Sequence, residues 1–402
     1  MSSAPLSHIR VLDLSRVLAG PWCGQILGDL GADVIKVENP ASGDDTRSWG
    51  PPFLKDEAGE DADAAYYLCA NRNKRSIAIN ITEPDGQAML RRLAADSDVV
   101  IENYKTGGLK KYGLDYESLR RVNPDLIYCS VTGFGQTGPW SRQPGYDFLI
   151  QAMGGLMSVT GEDAPTKVGV PAVDLFTGVY AAGAVMAALI ARSKGQGGQH
   201  IDMALFDVQA AMLANQAANY FVSGRAPGRS GNAHPNIVPY QDFPTADGRL
   251  AVAVGNDGQF NAFARALGRP EWADDSRFAR NADRVANREI LIAEITVTLA
   301  TEGVDHWIAA LHEAGVPCGP IQQLDQVFSH EQARARELAF SLPMSGVGDA
   351  PMIANPMRLS ETGPQYHRAP PRFAEHTQEV LHERLGIDEN EFLTLRKRSV
   401  VR

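Results

Sequence analysis

Cysteine is scarce in this sequence: four cysteines are spread over 402 residues, and no two of them lie close together. Because no C-x-x-C pair is present, the spacing indicates neither a zinc site nor a framework of disulfide bonds. Isolated thiols are typical of proteins in a reducing compartment, so we expect a cytoplasmic protein. The four residues are Cys23, Cys69, Cys129 and Cys318.

Several catalytic signatures are also missing. The sequence contains no G-x-S-x-G nucleophile elbow, no H-E-x-x-H zinc motif and no Walker loop for nucleoside triphosphates. Serine hydrolysis, zinc-dependent hydrolysis and P-loop phosphate chemistry are therefore not indicated. We expect no bound metal and no permanently bound cofactor.

Positive charge and long apolar runs are in short supply. The 38 Lys and Arg residues are outnumbered by 48 Asp and Glu, which gives a net charge of −10. A surface of this sign disfavours nucleic acid and anionic membranes as partners. The first ten residues lack the pattern of a signal peptide. The apolar stretch 172–191 comes closest to a membrane span, but it is rich in Ala and Gly and ends in Arg192-Ser-Lys-Gly.

What the sequence does contain is a regular alternation of strand and helix patterns. Helical patterns separate runs typical of buried strands. Such an alternation predicts a Rossmann-like α/β domain, in which a parallel sheet is covered by helices on both faces. The strand patterns lie at residues 9–14, 32–38, 76–81, 98–104, 125–132 and 199–205.

Ligands of parallel sheets bind at the carboxyl ends of the strands, so the residues that follow the strands predict a pocket rim. These segments are 15–20, 38–39, 103–107 and 133–138. The last of them, G-F-G-Q-T-G, matches the dinucleotide pattern G-x-G-x-x-G. Pro139 interrupts the helix that should follow, and the strand is the fifth rather than the first. We therefore interpret it as a glycine-rich loop that lines a different ligand, and we expect no NAD binding.

The length predicts two domains. A Gly- and Pro-rich stretch, 223–236, ends the first domain, and the hairpin and helix patterns up to residue 330 predict a smaller α+β domain. A helix is predicted from about Thr377, and its apolar residues need a partner surface. We expect residues 331–402 to complete the large domain of residues 1–222.

Asp174 is the only charged residue at the start of a long apolar helix pattern that runs to Arg192. An Asp at this place is most often a helix cap. The same helix N-terminus favours the anionic form, and an ionised, oriented carboxylate can attack an acyl group. Residues 169–191 alone leave both interpretations open.

Four other features are candidates for a substrate site. A basic cluster at residues 71–75 and the single Arg47 could hold a carboxylate, although charged runs are usually solvated turns. His234, in the linker, is the histidine we place near a pocket. The segment 256–259 is either a flexible loop or a strand-to-helix turn with an Asn or Asp cap.

Seven ordered motifs together resemble class III coenzyme A transferases, the formyl-CoA transferase-like family. The resemblance runs from about residue 8 into the C-terminal helix, nearly the whole chain. Segments 43–53 and 233–241 are most similar to succinyl-CoA-dependent glutarate, hydroxymethylglutarate and itaconate transferases. The motifs are V-L-D-L-S-R-V-L-A-G-P, D-L-G-A-D-V-I-K-V-E, N-R-N-K-R-S-I-A-I-N, V-I-E-N-Y, S-V-T-G-F-G-Q-T-G-P, G-G-L-M-S-V-T-G and P-A-V-D-L-F-T-G.

The resemblance implies a reaction and an assembly. In the family the residue matching Asp174 attacks an acyl-CoA to form a mixed anhydride, which CoA converts into an aspartyl-CoA thioester. A carboxylic acid acceptor then reverses the exchange, with CoA as co-substrate and without ATP. The segment 255–259 matches a mobile glycine loop that covers the anhydride. The family also forms homodimers whose two chains are threaded like linked rings.

The resemblance also implies individual contacts. The predicted CoA-binding residues are Leu18, Ala19, Asn39, Asn103, Tyr104, Lys105, Lys111 and Tyr146. Asn39 stands where some members carry Arg. The predicted substrate-binding residues are Arg47, Arg72, Lys74, His234, Gly258 and Gln259. We expect Arg47 or the basic cluster to hold the distal carboxylate of a dicarboxylic acid.

Two alternatives stay open. An α-methylacyl-CoA racemase of the same fold needs a second proton carrier, and the family places a His where this sequence has Tyr146. A phenol with a pKa of about 10 is a poor proton acceptor at neutral pH, which disfavours the racemase. A non-catalytic acyl-CoA binder, in which Asp174 is only a cap, is the other alternative.

Overall fold

A computed structural model of the chain describes residues 4–402. Its strands are β1 (Arg10–Asp13), β2 (Asp33–Glu38), β3 (Phe53–Lys55), β4 (Asp61–Ala64), β5 (Lys74–Ala78), β6 (Val99–Glu102), β7 (Ile127–Thr132), β8 (His200–Ala204), β9 (Tyr240–Pro244), β10 (Arg249–Ala253), β11 (Cys318–Pro320), β12 (Ala339–Met344) and β13 (Gly348–Ile353).

Its α-helices are α1 (Ala19–Asp29), α2 (Ala65–Leu68), α3 (Pro84–Ala95), α4 (Tyr116–Leu119), α5 (Asp147–Met153), α6 (Leu156–Val159), α7 (Ala172–Ser193), α8 (Leu205–Met212), α9 (Ala214–Ser223), α10 (Asp257–Ala266), α11 (Glu271–Asp274), α12 (Asn281–Ala286), α13 (Arg288–Leu299), α14 (Val304–Glu313), α15 (Leu324–Ser329), α16 (Glu331–Ala335), α17 (Thr377–Leu385) and α18 (Glu389–Lys397). Two 3-10 helices span Asp45–Ser48 and Lys110–Tyr112.

The predicted parallel sheet is confirmed. Six strands pair in the order β5-β2-β1-β6-β7-β8, and every pair is parallel. Their residues are buried on both faces through most of the sheet, which explains the near-continuous apolar runs. The strand order reverses direction between β1 and β6. Such a switch point opens a crevice beyond the carboxyl ends of the two strands.

Helices cover both faces of this sheet. On one face, side chains of β1, β5 and β6 pack with α3, α17 and α18. On the other face, α1, α7 and α8 complete a second apolar cluster. The predicted C-terminal helix therefore exists, and its apolar residues Val380, Leu381 and Leu385 return to the large sheet, as expected.

Small residues let α7 lie close to α1. A Cβ atom on Gly178 would come within 2.8 Å of the Ala19 carbonyl oxygen and 2.9 Å of Trp22. By length and composition this helix could cross a membrane, but 44% of its most apolar window is already buried in the chain. Its other face leaves Phe176 and Tyr180 about half exposed.

The chain divides into two compact units. The first contains residues 4–156, 168–218 and 331–402, and the second contains 157–167 and 219–330. The sequence boundary at 222 differs in two respects: the second unit begins at residue 219, and residues 157–167 also belong to it. Backbone and side-chain bonds explain the second difference: the Gly231 N–H donates to the Gly161 carbonyl at 3.0 Å, and Arg229 donates to the Glu162 carbonyl.

The second unit contains a three-stranded antiparallel sheet, β11-β10-β9, with helices around an aromatic core. The predicted hairpin is confirmed: β9 and β10 are antiparallel, and the Thr245 N–H donates to the Gly248 carbonyl across the turn.

In the first unit, residues 331–402 add a further antiparallel hairpin, formed by β12 and β13.

Candidate active site

A cavity of about 440 Å³ lies at the switch point of the large sheet. We call it the main cavity. Its volume lies in the range of small-molecule sites in proteins. Eight residues predicted from the sequence line it together: Leu18, Ala19, Asn103, Tyr104, Lys105, Lys111, Tyr146 and Asp174. Gly133 of the predicted glycine-rich loop lines it too.

Asn39 lines a second cavity of about 200 Å³, which we call the middle cavity. Arg16 and Tyr104 line both the main and the middle cavity. The Oδ1 atom of Asn39 accepts from the Ala41 N–H at 2.9 Å and shapes the turn after β2. The predicted contact set therefore occupies two adjoining cavities rather than one.

Buried charged side chains hold the loop after β1 in place. Asp13 accepts from both the N–H and the hydroxyl of Ser15. The Nζ of Lys36 donates to the Ser15 carbonyl at 3.0 Å and pairs with Asp44 at 2.7 Å. All of these side chains are buried, so their ion pairs are costly to break. The loop that leads into Leu18 is therefore held in one conformation.

Asn103 ties this loop to the loop after β6. Its Oδ1 accepts from the Arg16 N–H at 2.9 Å, and its Nδ2 donates to the Arg16 carbonyl at 2.7 Å. The next residue, Tyr104, donates its N–H to Glu102 at 2.8 Å. Burial raises the pKa of Glu102 to about 7. The two loops at the switch point thus form one hydrogen-bonded rim.

Asp174 is the third residue of α7, and another residue caps this helix. The Oδ1 atom of Asp147 accepts from the Val173 N–H at 2.8 Å and from the Asp174 N–H at 3.3 Å. Gln151 donates to the second oxygen of Asp147 at 2.7 Å. The interpretation of Asp174 as a cap is therefore wrong, since Asp147 performs that role and leaves the Asp174 carboxylate facing the main cavity.

The helix N-terminus, which favours the anionic form, does not hold the pKa of Asp174 at its ordinary value. Burial, and secondly the negative charge of Asp147, raise the pKa of Asp174 to about 7. Desolvation and a like charge outweigh the favourable helix dipole. A carboxylate of this pKa is more basic than an ordinary one, so its ionised form is a better nucleophile.

Three residues of the site are missing from the sequence prediction: Arg142, Asp147 and Tyr66. Arg142 lines the main cavity together with Arg16, which lies in the predicted rim segment 15–20. Asp147 directly follows Tyr146, one of the predicted contacts. Tyr66 gave no signal; burial and then the charge of Asp174 raise its pKa to about 12.

Three predicted substrate cations are instead engaged in buried ion pairs. Arg47 makes two bonds to Glu38, at 2.7 and 2.8 Å, and one to Asp63. None of the three cations lines the main cavity, whose lining residues all lie within 4–402. The other two pairs are Arg72 with Asp29 at 2.6 Å and Lys74 with Asp13 at 3.0 Å.

These pairs give each of the three cations a partner within the chain, so the prediction that they hold a substrate carboxylate gains no support. A buried cation without a partner is costly, so each one recruits an acid of the chain itself. Burial also lowers the pKa of Lys74 to about 8, although Asp13 opposes this change. Arg75, the last cation of the cluster, pairs with Asp33, Glu379 and Glu383.

The predicted glycine loop is the start of a capped helix in the second unit. Asn256 accepts from the Gln259 N–H at 2.9 Å, and Gln259 accepts from the Gly255 N–H at 2.8 Å. Gly258 lies in the first turn of α10. These bonds form a strand-to-helix turn with an Asn cap, as in the second interpretation of the segment, whereas its mobility stays a prediction. His234, in the same unit, accepts from the Asn236 N–H through Nδ1.

The cysteines offer no second nucleophile of low pKa. All four lie within the described residues and are free thiols. Burial raises the pKa of Cys129 to about 12, and that of the buried Cys23 is raised as well. Within residues 4–402, no group of three or more His, Cys, Asp or Glu side chains is placed to hold a metal ion.

Known proteins are similar to this chain over nearly its whole length. The profile of CoA-transferase family III matches residues 6–377. Succinate–glutarate CoA-transferase of Agrobacterium fabrum is 52% identical over 94% of this chain and 95% of its own length. Human succinyl-CoA:glutarate CoA-transferase is 43% identical, covering 96% and 87%. A CAIB/BAIF family protein from Brucella suis has a crystal structure with a TM-score of 0.84 at 50% identity, covering 95% and 100%.

Proposed function

The chain belongs to CoA-transferase family III and is a CoA-transferase, and we propose that it moves CoA from succinyl-CoA to a dicarboxylic acid of the glutarate class. Two similar enzymes are named succinate–glutarate CoA-transferase and succinyl-CoA:glutarate CoA-transferase, and these names support this pair of substrates. The observation that carries the proposal is the Asp174 carboxylate. It faces the main cavity with a pKa of about 7.

We propose that Asp174 forms two covalent intermediates. Its carboxylate attacks the thioester carbon of succinyl-CoA, the C–S bond breaks, and CoA leaves as a thiolate from the acyl-aspartyl anhydride. The thiolate then attacks the aspartyl carbonyl of the anhydride, which releases succinate and leaves an aspartyl-CoA thioester. Each step exchanges one activated acyl bond for another, so neither ATP nor a redox partner is required.

The acceptor reverses these steps. Its carboxylate attacks the aspartyl-CoA thioester, CoA leaves again, and a new mixed anhydride forms between the acceptor and Asp174. The CoA thiolate finally attacks the acceptor's carbonyl, giving the new CoA ester and free Asp174. The partial burial of Asp174 supports this sequence, because water that reached the anhydride would hydrolyse it.

The predicted CoA contacts extend naturally along the main cavity. Leu18 and Ala19 at the start of α1, and Asn103 and Tyr104 after β6, stand on the rigid rim described above. Four cations also line this cavity, and CoA carries several phosphate charges that cations would attract. These cations are Arg16, Lys105, Lys111 and Arg142.

For the acceptor's second carboxylate we propose the unpaired Arg142 of the main cavity in place of the buried cations. Within residues 4–402, Arg142 forms no ion pair. Arg16, by contrast, already pairs with Asp45 at 3.0 Å. His234, Gly258 and Gln259 keep their predicted role as substrate contacts, and Tyr146, which is 65% exposed, keeps its role toward CoA.

We further propose a homodimer with interlocked chains, located in the cytoplasm. Half-exposed apolar side chains on α7, among them Phe176, Val179 and Tyr180, support a partner chain on this face. Phe221 and Val222 of the second unit are even more exposed, at 79% and 91%. Four free thiols support a reducing compartment. Light scattering coupled to size exclusion measures the oligomeric state, and a monomeric mass would contradict the dimer.

The decisive experiment traps the intermediates. After incubation with succinyl-CoA, intact-protein mass spectrometry should show a mass increase by CoA or by a succinyl group, and peptide mapping should locate it on Asp174. The Asp174→Ala variant should show neither the adduct nor CoA transfer to glutarate. Asp207→Ala is the matched control, because exposed Asp207 is likewise the third residue of its helix, α8. Full exchange activity in Asp174→Ala would refute the mechanism.

A further inference from the structure

A third cavity, of about 400 Å³, continues the path that begins at the main cavity. We call it the C-terminal cavity. The middle cavity shares Arg16 and Tyr104 with the main cavity and Asn39 with the C-terminal cavity. Arg396 and Arg402 line the far side of the C-terminal cavity. The three cavities therefore lead from the switch point of the sheet to two arginines near residue 400.

Backbone pairing holds the C-terminal segment in this place. The Asn80 N–H donates to the Val400 carbonyl at 2.8 Å, and Val401 forms an antiparallel bridge with Ile79. Val400 and Val401 are buried in the core of the large sheet. Because the backbone is anchored on both sides of residue 400, the position of the following side chain is fixed.

Arg402 is oriented by an aromatic ring. Its guanidinium lies over the ring of Phe373, 4.5 Å from the centroid. A stacked guanidinium keeps the N–H groups at its edge available for an anion. Phe373 thus sets the direction in which Arg402 faces the cavity.

The C-terminal cavity is cationic without a neighbouring acidic side chain. Its lining residues, all within 4–402, include no Asp or Glu. Neither Arg396 nor Arg402 forms an ion pair in the described part of the chain, whereas Arg398 pairs with Asp85 at 2.7 Å. Asn39 and Ser399 add neutral hydrogen-bonding groups. This composition fits a phosphate group better than a carboxylate-rich or apolar ligand.

We propose that the C-terminal cavity binds the 3′-phosphate of the CoA nucleotide, and that Arg396 and Arg402 distinguish CoA from dephospho-CoA. The inference rests on the proposed function, because it requires the thioester of CoA to lie at Asp174. CoA carries its thiol at one end and its phosphorylated ribose at the other. With the thiol in the main cavity, the middle cavity leads the nucleotide end to the two arginines.

Calorimetric titration of the whole protein with CoA and with dephospho-CoA tests this assignment. The wild type should bind CoA about tenfold more tightly than dephospho-CoA, because charge-assisted bonds to the phosphate are lost in the latter. In the double variant Arg396→Gln/Arg402→Gln the ratio should fall to about twofold or less. Arg398→Gln, on the same segment but paired with Asp85, is the matched control and should keep the wild-type ratio.

The proposal is overturned if the double variant keeps the wild-type ratio of CoA affinity to dephospho-CoA affinity. It is also overturned if Arg398→Gln lowers that ratio as much as the double variant does. Circular dichroism checks the fold, and Arg396→Gln alone, on the exposed side of α18, provides a second test if the double variant unfolds. A parallel assay of CoA transfer to glutarate distinguishes failure of the phosphate site from failure of the proposed reaction. Transfer without discrimination refutes only the phosphate site, whereas discrimination without transfer refutes only the proposed reaction.

Discussion

Replacing Asp174 with Asn should stabilise the protein while it removes the proposed nucleophile. The folded chain holds this carboxylate in a buried place beside a second acid, Asp147, and both conditions oppose its ionisation. The unfolded chain exposes it to water, where ionisation costs little. An amide has nearly the same shape and no charge, so the folded state of the variant avoids the penalty.

The size of the gain follows from the pKa. The pKa of Asp174 rises from 3.8 to about 7, and each pH unit corresponds to about 1.4 kcal/mol, which sets an upper bound of about 4 kcal/mol. Because the side chain is partly open to the main cavity, we expect ~2–4 kcal/mol at pH 8. Well below pH 3.8, the ordinary pKa of the group, the carboxyl is neutral in both states, and the gain should vanish.

The direction of the pKa shift determines the pH range over which the stability difference between wild type and variant develops. Between pH 4 and pH 7 the folded protein retains a proton that the unfolded chain has released, so wild-type stability falls relative to the variant as pH rises. Urea unfolding of both proteins at pH 5, 6, 7 and 8 measures the free energy of unfolding directly. Asp207→Asn, at the same position of a neighbouring helix but exposed, should show no gain. Equal stability of wild type and Asp174→Asn at pH 8 would refute the reasoning.

Three further predictions test the surroundings. Asp147→Asn should move the rising limb of the pH profile of kcat/KM about one pH unit lower, because the charge that raises the pKa of Asp174 is lost; an unmoved limb would contradict this. Arg72→Met should cost about 3–5 kcal/mol in urea unfolding, since it leaves Asp29 buried without its cation, yet KM for glutarate should not change. A raised KM at unchanged stability would restore the original prediction. Iodoacetamide at pH 8 should leave Cys129 unlabelled by mass spectrometry.

The sheet could be predicted because its signal is local. Runs such as V-V-I at the start of β6 are continuously apolar, and short runs of this kind between turn residues are typical of a strand buried on both faces. The carboxyl end of each strand then follows from its last residue. The positions of Leu18 and Asn103 in one cavity were therefore accessible from the sequence.

The electrostatics could not be predicted, because they depend on pairs that are distant in the chain. Asp147 lies 27 residues before Asp174, and only the packing of α5 and α7 brings its carboxylate to the helix start. Arg72 finds its acid 43 residues earlier, in Asp29. The sequence shows such cations but not their acidic partners, so from the sequence alone a structural ion pair cannot be told apart from an anion-binding site.

The positions at which helices begin could be predicted only in part. Asn256 is a favoured cap by residue type, and the capped turn was one of two interpretations of its segment. The bond from the Gly255 N–H to Gln259 supports the capped turn. Residues 205–223 form two helices, α8 and α9, since the backbone of Ala214 has a φ of 40° and interrupts the helical pattern.

The return of residues 377–401 to the large sheet has a consequence for biosynthesis. All six strands of that sheet have been translated by residue 204, yet Val380, Leu381 and Val401 are among the side chains that cover one of its faces. During translation of the second unit, this face of the nascent chain lacks part of its cover. We expect the emerging polypeptide to need shielding from aggregation until residues 377–401 have been translated, and the large unit to complete its folding only then.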